Sequence, residues 1–431
     1  MTDTIFAEAT APGRAGVSVI RISGPKAHDV GSAFCGPLPE VRRASLRDLR
    51  SPENGTLLDS ALVLVFDQQE SFTGEKTVEF HIHGSIGVKN LLFDALAMLP
   101  DVRLADPGEF TRRALENGRL DLAQVEGLAD LIDAETAQQH RQAVDLLSGS
   151  LSNTAARWRT GLVRSLALLE ASMDFADEEI PDEALDEAVA LTNEVLVGIQ
   201  AEIQGSRFAE RVREGFEVAI VGPPNAGKSS LLNRLAGRDA AITSEIAGTT
   251  RDVIEVRLDL EGYAVTLIDT AGLRETEDAI EKAGVDRALA RAQSADLRVF
   301  LIEQNGDLEG LPIQRDVGDI VVSGKSDLIP GNDLSPFTGH GISQLIDKIA
   351  SQLQLAVPPG ATANRVRHRR NLEHAADALS KALEILRQGG GDVDLAAEEY
   401  RRALRSLDSL VGRVDVDDIL DVIFASFCLG K

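Results

Sequence analysis

The sequence predicts an α/β fold combined with an all-helical part, and two observations support this prediction. Residues 1–118 and 213–357 each alternate short apolar strands with helices, and the second stretch is built around a glycine-rich loop. Residues 119–212 and 358–431 instead carry apolar side chains at helical spacing. At 431 residues the chain has room for about three domains. We therefore expect a mixed N-terminal domain, a nucleotide-binding-type domain and two helical segments that flank it.

The amino-acid composition excludes several classes of function for this protein. Lys plus Arg is 44 and Asp plus Glu is 69, which gives a formal net charge of −25. A chain this acidic is a poor nucleic-acid binder on its own, because affinity for phosphate comes mainly from clustered Lys and Arg. Two cysteines cannot form a disulfide framework, and nothing resembles a secretory leader. Every apolar run is interrupted well short of ~18 residues, so we expect a cytoplasmic protein without a membrane span.

Within residues 1–118 the pattern predicts three strands and one helix. The first strand, Val17–Ile22, follows the glycine-containing turn Pro12–Gly16. Further strands are predicted over Leu62–Phe66 and Val78–His83, and a helix over Val88–Leu99. This segment is therefore a mixed unit of strands and helices.

The two flanking segments are predicted to be helical. In the first, the acidic stretch Asp174–Glu187 is interpreted as a solvated connection between helices. In the second, the helical spacing resumes after the break Gly389–Gly391. The apolar positions that share a helix face are Leu162, Leu166, Leu169 and Met173, then Leu372, Ala376, Leu379, Leu383 and Leu386, then Leu404, Leu407 and Val411.

Residues 213–357 show the strand pattern of a nucleotide-binding α/β domain. Phe216–Val221 is a continuous apolar run of the kind that a buried strand has. Ile254–Leu260 alternates and turns at Glu261–Gly262 into Ala264–Ile268, which predicts a hairpin. Leu297–Ile302 and Ile320–Val322 are two further short strands.

The strongest motif follows the first of these strands. Gly222–Ser229 reads G-x-x-x-x-G-K-S and precedes a helix predicted over Ser229–Ala236. Small residues let the backbone N–H groups surround phosphates, while Lys228 supplies a positive charge to the β and γ oxygens. The hydroxyl of Ser229 is a ligand for Mg²⁺. The motif therefore predicts a nucleoside triphosphate site.

Two further segments fit the same site. Asp269-Thr-Ala-Gly272 follows the second hairpin strand, where Asp269 would hold Mg²⁺ through water and the Gly272 N–H would contact the γ-phosphate. Thr250, in the loop between the two motifs, is predicted to give Mg²⁺ a second hydroxyl. Leu273 stands where many GTPases carry a water-orienting Gln. One substitute is a monovalent cation held by Asn225 and main-chain carbonyls of the Ser244–Thr249 loop, and the alternative is that Asn225 only shapes its loop.

A base-reading motif is expected after the strand Ile320–Val322. There the chain reads Gly324-Lys325-Ser326-Asp327. Asp327 would accept hydrogen bonds from the N1–H and 2-amino group of guanine, and Lys325 would pack along the ring. Gly324 replaces the asparagine of the usual N-K-x-D motif, an amide that normally braces the nucleotide loops. The predicted GTP-binding residues are Asn225, Ala226, Gly227, Lys228, Ser229, Ser230, Ser244, Glu245, Ile246, Ala247, Gly248, Thr249, Thr250, Asp269, Thr270, Ala271, Gly272, Lys325 and Asp327.

Motifs outside the nucleotide domain indicate which family within the large superfamily of nucleotide-binding proteins this chain resembles. They are Pro12–Gly24 (PGRAGVSVIRISG), Ser71–Glu75 (SFTGE), Pro107–Thr111 (PGEFT), Arg119–Gln124 (RLDLAQ) and the tail Phe427–Lys431 (FCLGK). Together with the phosphate loop they resemble the MnmE (TrmE) family of tRNA modification GTPases, over the whole length of the chain.

The resemblance implies a domain organisation and a reaction. An N-terminal folate-binding and dimerisation domain (1–118) would precede one helical domain in two parts (119–212 and 358–431). A Ras-like G domain (213–357) would be inserted between those parts. The family acts as a homodimer with the FAD-dependent partner MnmG, in a heterotetramer. It modifies carbon 5 of the wobble uridine (position 34) of certain tRNAs. A reduced folate (5-formyl- or methylene-tetrahydrofolate) donates the carbon, and GTP hydrolysis drives rearrangement.

The resemblance also implies residue roles. Asn225, Ser244, Ile246 and Thr249 match the potassium ligands, beside Ser229 and Thr250 as Mg²⁺ ligands. Glu281 matches the glutamate that helps to orient the attacking water, so the implied catalytic residues are Glu281, Lys228 and Asn225. The folate-contacting positions correspond to Arg21, Glu79, Arg119 and Lys431, with arginine at 119 where lysine is commoner. Cys428 matches a tail cysteine for which a role in the chemistry has been considered.

Two other functions stay open from the sequence. A regulatory GTPase in ribosome assembly would share the G-domain motifs, but no RNA-binding module or basic domain is recognised here. A folate-dependent one-carbon enzyme with the GTPase as a control element is the second alternative.

A pair of histidines and a cluster of arginines each have two interpretations. His81 and His83 share a strand face and suit a metal, although no convincing third ligand accompanies them. The densest basic cluster would contact tRNA phosphate or pair with acidic helices, and it consists of Arg365, Arg367, Arg369 and Arg370.

Overall fold

The computed structural model divides the chain into two compact units. One comprises Met1–Ala129 with Val411–Lys431, and the other comprises Asp130–Leu410. Residues that the structure describes are 3–174, 182–237, 242, 255–269, 289–303, 308, 311, 313–355, 361–388, 392–414, 424 and 430.

The first unit is built on a six-stranded sheet with the order β3-β4-β5-β2-β1-β6. All neighbours are antiparallel except β1 and β6, which run parallel. Its strands are β1 (Thr4–Glu8), β2 (Ala15–Ser23), β3 (Ser45–Arg50), β4 (Leu57–Phe66), β5 (Thr77–Gly84) and β6 (Val102–Leu104). Its helices are α1 (Ala27–Cys35), α2 (Ile86–Ala97) and α3 (Glu109–Glu116), and α4 (Leu122–Asp133) follows them.

One face of this sheet forms the core of the unit. Side chains alternate along a strand, so Ile20 and Ile22 of β2 face one way and Arg21 the other. The first two join Val78 and Phe80 of β5 in an apolar cluster that also takes up residues of α1 and α2. The opposite face carries Arg21.

A second, smaller cluster holds the C-terminal segment against this unit. Phe424 packs with Leu122 and Val125 of α4 and is almost fully buried. The Leu122 N–H also donates to the Val411 carbonyl at 3.2 Å. Thus the residues after 410 belong with the N-terminal sheet.

A buried guanidinium forms ion pairs with segments of the N-terminal unit that are far apart in the sequence. Arg113 of α3 is 1% exposed and donates to the Glu109 carboxylate at 2.8 Å and to Glu75 at 3.1 Å. It also donates to the Asp3 carboxylate at 3.1 Å. Arg103 makes two further bonds to Glu109, at 2.6 and 2.8 Å. Because a buried charge is costly unless it is paired, this ionic cluster fixes α3 against β1 and β6.

The second unit contains a helical bundle. Its helices are α5 (Ala137–Leu147), α6 (Ser150–Asp174) and α7 (Asp182–Glu214), with α10 (Val366–Gln388) and α11 (Val393–Leu410) from the later part of the chain. Thr136 starts α5 with a capping box, in which its side chain and that of Gln139 bond each other's backbone N–H groups. In the core the Tyr400 hydroxyl bonds Thr192, which lies 3.5 Å from the Ser165 hydroxyl. This polar triad links α6, α7 and α11.

Three arginines of the predicted basic cluster form ion pairs or hydrogen bonds within this unit. Arg365 pairs with Asp130 at 2.5 Å, and Arg369 pairs with Glu210 at 2.6 Å. Arg367 donates to the carbonyls of Ser409 and Leu410, at the end of α11. Of the two interpretations, pairing with acidic helix residues is therefore confirmed for Arg365 and Arg369, whereas Arg367 bonds backbone carbonyls instead.

The second sheet has the order β11-β10-β7-β9-β8 and is parallel except for the pair β8–β9. Its strands are β7 (Phe216–Val221), β8 (Glu255–Leu260), β9 (Tyr263–Asp269), β10 (Leu297–Ile302) and β11 (Ile320–Ser323). Helices α8 (Lys228–Ala236) and α9 (Ile342–Leu355) contribute to one large apolar cluster with these strands, and residues 289–294 are also helical. In an open parallel sheet the ligand site lies at the carboxyl ends of the strands.

The elements predicted from the sequence are confirmed where the structure describes them. β7 has the predicted bounds, and the predicted hairpin corresponds to β8 and β9. The sequence patterns did not predict β1, β3, β6, α1, α3 or α9. Of the acidic stretch predicted as a connection, Asp182–Glu187 instead belongs to α7, because Ala184 and Leu185 favour a helix. Residues 175–181 lie outside the described part of the chain. No helix in the described part of the chain is long and apolar enough to cross a membrane.

The ionic cluster predicts a pH-dependent stability. Burial alone would raise the pKa of Glu109, but hydrogen bonds from Arg103, the Asp106 N–H and Arg113 outweigh it and lower that pKa. A carboxyl with a lowered pKa in the folded state stabilises the fold above its unfolded pKa, and this contribution is lost as the pH falls through the folded value. We expect Glu109→Gln to destabilise the unit by about 2–3 kcal/mol at pH 7.

This difference should shrink as the pH falls below about 4.5, because the unfolded chain then binds a proton that the folded carboxyl takes up only at lower pH. Hydrogen–deuterium exchange of β1 and α3, corrected for intrinsic rates, measures it. Glu116→Gln is the matched control, because that carboxylate is exposed on the same helix and pairs only with Arg112 at 3.3 Å among the contacts described. An equal difference in stability between wild type and Glu109→Gln at pH 7 and at pH 4 would contradict a stabilising role for the ionised Glu109 carboxylate.

Candidate functional site

The phosphate loop leaves the carboxyl end of β7, the central strand of the second sheet. Asn225 and Gly227 both have left-handed backbone conformations, with φ of 65° and 99°. Such a conformation turns successive N–H groups toward a common point, which makes an anion-binding concavity. α8 begins directly after it at Lys228, so the N-terminal end of the helix also faces this point.

Lys228 is the buried cation of the loop. Its side chain is 7% exposed, and the ammonium donates to the carbonyls of Gly222 and Pro223 at 2.8 and 2.9 Å. These bonds hold the charge at the mouth of the loop. The predicted placement of a positive group beside the phosphate-binding backbone is thus observed.

Ser229 and Asp269 meet because their strands are neighbours. β7 and β9 pair in parallel, with Ile220 opposite Asp269. The Ser229 hydroxyl donates to the Asp269 carboxylate at 3.0 Å. Hydroxyl and carboxylate oxygens are the hard ligands that Mg²⁺ prefers, so this pair fits that ion.

The predicted guanine loop follows β11 at the same edge of the sheet. The Gly324 N–H donates to the Ile302 carbonyl at 2.7 Å, which continues the pairing with β10. Lys325 forms an ion pair with Glu303, and the side chain of Asp327 is exposed. A Cβ on Gly324 would lie 3.2 Å from the Ala226 carbonyl oxygen, so the guanine and phosphate loops are in contact.

The other predicted nucleotide residues lie outside the described part of the chain. They are Ser244, Glu245, Ile246, Ala247, Gly248, Thr249, Thr250, Thr270, Ala271, Gly272, Leu273 and Glu281. Their roles stay predictions. The described ones lie at the carboxyl ends of three strands of the sheet, after β7, at the end of β9 and after β11. They are Asn225, Ala226, Gly227, Lys228, Ser229, Ser230, Asp269, Lys325 and Asp327, of which Lys228, Ser229 and Ser230 form the start of α8.

A second candidate site lies on the outer face of the N-terminal sheet. Arg21 and Glu79 are directly opposite each other on β2 and β5, and their side chains pair at 2.9 Å. The guanidinium lies 5.5 Å from the ring centroid of Phe72 and 5.7 Å from that of Phe110. His81 lies next along β5, with its Nε2 3.4 Å from Glu79. Phe110 is fully buried, whereas Phe72 is half-buried. The cation, the carboxylate and the ring of Phe72 together suit a flat ligand with both charges and ring donors.

The remaining predicted folate residues are placed only in part. Arg119 is exposed, and a Cβ on Gly74 would lie 3.1 Å from its Cγ, so it lies beside the loop that carries Phe72. Lys431 and Cys428 lie outside the described residues, but Gly430 is described. Its Cα lies so close to β1 that a Cβ there would be 1.9 Å from the Glu8 carbonyl oxygen. Gly430 therefore lies against β1.

The two histidines do not share a metal ligand set. His83 bonds Asp59 at 2.8 Å, whereas His81 faces Glu79. Among the residues that the structure describes, no group of three or more His, Cys, Asp or Glu side chains is arranged to hold a metal ion.

Comparison with known proteins identifies the family. The family model described as the MnmE helical domain matches residues 122–428, and the model described as the GTP-binding protein TrmE N-terminus matches residues 4–119. The chain belongs to the MnmE family of tRNA modification GTPases. The resemblance drawn from the motifs is thereby confirmed, as is a fold of a TrmE N-terminal domain, an MnmE helical domain and a nucleotide-binding α/β domain.

Full-length relatives support the assignment of this chain to the MnmE family. The protein named tRNA modification GTPase MnmE from Cereibacter sphaeroides is 54% identical over 431 residues, covering 100% of both chains. Its counterpart from Roseobacter denitrificans is 53% identical over the same length, again with full coverage. A crystal structure of an Aquifex aeolicus Era variant bound to GDP and AlF4⁻ is 23% identical and covers 38% of this chain and 66% of its own, with a TM-score of 0.26. Superposition that weak adds nothing to the MnmE assignment.

Several residues of this MnmE chain were not predicted as site residues. Phe72 and Phe110 flank Arg21, and Glu303 pairs with Lys325. The sequence did point to the two rings, since Phe72 and Phe110 lie inside two of the motifs that carry the family resemblance. Glu303 directly follows β10 and carries no motif of its own, so sequence offered no comparable signal for it.

Proposed function

We propose that this chain hydrolyses GTP to drive modification of carbon 5 of the wobble uridine in certain tRNAs. As a member of the MnmE family it is a tRNA modification GTPase. The finer proposal adds a homodimer, an FAD-dependent MnmG-type partner, a reduced folate as carbon donor and a cytoplasmic location. The observation that carries the proposal is the contact between Ser229 and Asp269, because it joins the two motifs that a GTPase needs at one point.

The phosphate chemistry follows from the loop. Backbone N–H groups around Asn225 and Gly227 would bind the β-phosphate, and Lys228 would exchange its carbonyl partners for the β and γ oxygens. Ser229 and Thr250 would hold Mg²⁺, with Asp269 bonded to its water. Bound Mg²⁺ neutralises charge that develops on the phosphate oxygens.

The hydrolytic water needs a partner other than residue 273, which is an apolar leucine. We assign its orientation to Glu281. Asn225 would hold K⁺ together with Ser244, Ile246 and Thr249, where an arginine finger acts in other GTPases. The exposed side chain of Asn225 on a left-handed backbone supports this, since it leaves the amide oxygen accessible beside the phosphate loop.

The second site would bind the folate. Arg21 and Arg119 would pair with the glutamate carboxylates of the ligand, and Glu79 would accept hydrogen bonds from the pterin. The half-buried ring of Phe72 supports this role, because it presents a flat apolar group beside Arg21, and the buried ring of Phe110 packs near the same guanidinium. Lys431 and Cys428 would reach the same surface through the tail, whose Gly430 lies against β1.

Loss of the modified base tests the function. In a strain that lacks the gene, nucleoside analysis of tRNA by mass spectrometry should find unmodified uridine at position 34, while ribosomal subunit profiles stay normal. Reintroduction of the wild-type gene should restore the modification, and Ser229→Ala should not. Normal wobble uridine with abnormal subunit profiles would instead support a GTPase in ribosome assembly.

Potassium should stimulate the GTPase. We expect turnover to be several-fold faster in K⁺ than in Na⁺ at matched ionic strength, because Na⁺ is too small to span the same oxygens. Asn225→Ala should reduce the rate in K⁺ to the rate in Na⁺, whereas Asn233→Ala, exposed on α8, should keep the difference. Equal wild-type rates in the two salts would overturn the cation assignment.

Folate binding should depend on the outer face of the N-terminal sheet. A contact between charged groups is worth ~1.5–3 kcal/mol, so Arg21→Ala should weaken 5-formyltetrahydrofolate by about tenfold or more in calorimetry. Gly430→Ala should also weaken it, because the added Cβ would displace the tail from Glu8. Both variants should hydrolyse GTP at the basal rate.

The matched control is Arg50→Ala, which removes an exposed guanidinium from the edge strand β3 of the same sheet. Its folate affinity should equal that of the wild type. Unchanged affinity in both Arg21→Ala and Gly430→Ala would remove the folate assignment.

A further inference from the structure

The loop after β11 lacks the asparagine that braces it in the usual guanine motif. Gly324 occupies that position, and it is tightly enclosed. A Cβ there would lie 3.1 Å from Leu301 Cδ1 and 3.2 Å from the Ala226 carbonyl oxygen. Both distances are shorter than most contacts that a Cβ atom makes in proteins. The backbone of the loop therefore approaches the phosphate loop directly, and a brace for it must come from elsewhere in the chain.

Asn332 reaches this loop from eight residues further on. Its side-chain amide nitrogen donates to the Gly324 carbonyl at 2.5 Å and lies 3.5 Å from the Glu303 carbonyl. Both neighbours are carbonyl oxygens, which only accept hydrogen bonds, so the NH₂ end of the amide must face them. The side chain thus links the end of β10 to the start of the guanine loop.

We propose that Asn332 is a positioning residue for the guanine-binding loop and supplies the amide brace that Gly324 cannot. This inference rests on the proposed function, because it takes Lys325 and Asp327 as the groups that contact the base. No part of the usual N-K-x-D motif marks Asn332.

The residues that follow Asn332 hold the same loop. The Asp333 carboxylate accepts from the Ser323 N–H at 3.0 Å and from its hydroxyl at 2.8 Å. These bonds lower the pKa of Asp333. Leu334 donates to the Ser323 carbonyl at 2.9 Å and accepts from the Ser326 N–H at 3.0 Å. The segment 332–334 therefore runs beside the guanine loop as a short ladder, and Asn332 is the member that bonds Gly324.

The position of Lys325 depends on this brace. Its backbone is left-handed, with φ of 60°, a conformation that costs energy for a residue with a side chain. The peptide unit just before it carries the Gly324 carbonyl that Asn332 holds. If that carbonyl can rotate, Lys325 can relax to an ordinary conformation, and both Lys325 and Asp327 then leave the positions that suit the base.

The test compares nucleotide affinity with turnover in the full-length protein. We expect Asn332→Ala to raise the Kd for fluorescent GDP and GTP analogues by about tenfold, with kcat at saturating GTP within about twofold of the wild type. Asn332→Asp has the same shape but turns a carboxylate oxygen toward two carbonyls, so its loss should be at least as large. Asn233→Ala, an exposed asparagine of α8, should change neither quantity.

Base selectivity separates positioning from general destabilisation. Inosine diphosphate lacks the 2-amino group that Asp327 would contact, so the preference for GDP over IDP should shrink in Asn332→Ala. Unchanged affinity and preference in both Asn332 variants, or a fall in kcat alone, would overturn the role of Asn332.

A second variant shows which assignment has failed. Asp327→Asn should shift the preference from guanosine to xanthosine diphosphate, because its amide donates to the 2-oxo group. If it does so while the Asn332 variants bind normally, only the inference about Asn332 is wrong. If Asp327→Asn leaves the base preference unchanged, the guanine site itself is misassigned and the inference fails with it.

Discussion

The parallel pairing of β7 with β9 is the constraint on which the nucleotide site depends. It sets Asp269 at the carboxyl end of one strand beside the loop that leaves the other, and so brings it to the Ser229 hydroxyl at 3.0 Å. A shift of register by one residue would turn Asp269 to the other face of the sheet and break this contact. The register is secured by the apolar side chains that both strands bury, including Val218, Val265 and Leu267.

Two sequence motifs of the N-terminal unit have a common physical explanation. Ser71–Glu75 and Pro107–Thr111 each supply one aromatic ring and one carboxylate. The rings, Phe72 and Phe110, flank Arg21 on the outer face of the sheet. The carboxylates, Glu75 and Glu109, pair with the buried Arg113. One set therefore shapes the candidate ligand surface, and the other holds the backbone that carries it.

The sequence predicts the parts whose signal is local. β7 is a continuous apolar run with the predicted bounds, and the phosphate loop follows it directly. β3 was missed because its residues SLRDLR alternate only weakly, as in an edge strand with one buried leucine. Tertiary pairings could not be predicted, since Arg113 meets Glu75 and Asp3 across 38 and 110 positions. The same holds for Asn332, whose contact with Gly324 depends on how the chain returns after Ile329.

The helical bundle and the nucleotide sheet are joined at the opposite edge from the phosphate loop. α7 ends at Glu214, and β7 begins at Phe216. Phe208 of α7 packs with Phe216 and Tyr263 at ring-centroid distances of 5.5 and 6.4 Å, so the junction has a stable apolar part.

The polar part of this junction is weaker. Arg211 pairs with Asp296 at 2.8 Å, but the arginine is only half-buried, and ion pairs that water reaches contribute roughly 0–1 kcal/mol. Burial raises the pKa of Asp296 despite that partner. A cavity of about 850 Å³ adjoins the pair, lined by both acidic and basic side chains. β7 itself spans only about 20 Å from this junction to the phosphate loop. The bundle is therefore attached beside the strand that carries the nucleotide loop mainly through the aromatic packing of Phe208, and the ionic contact of Arg211 adds little net strength.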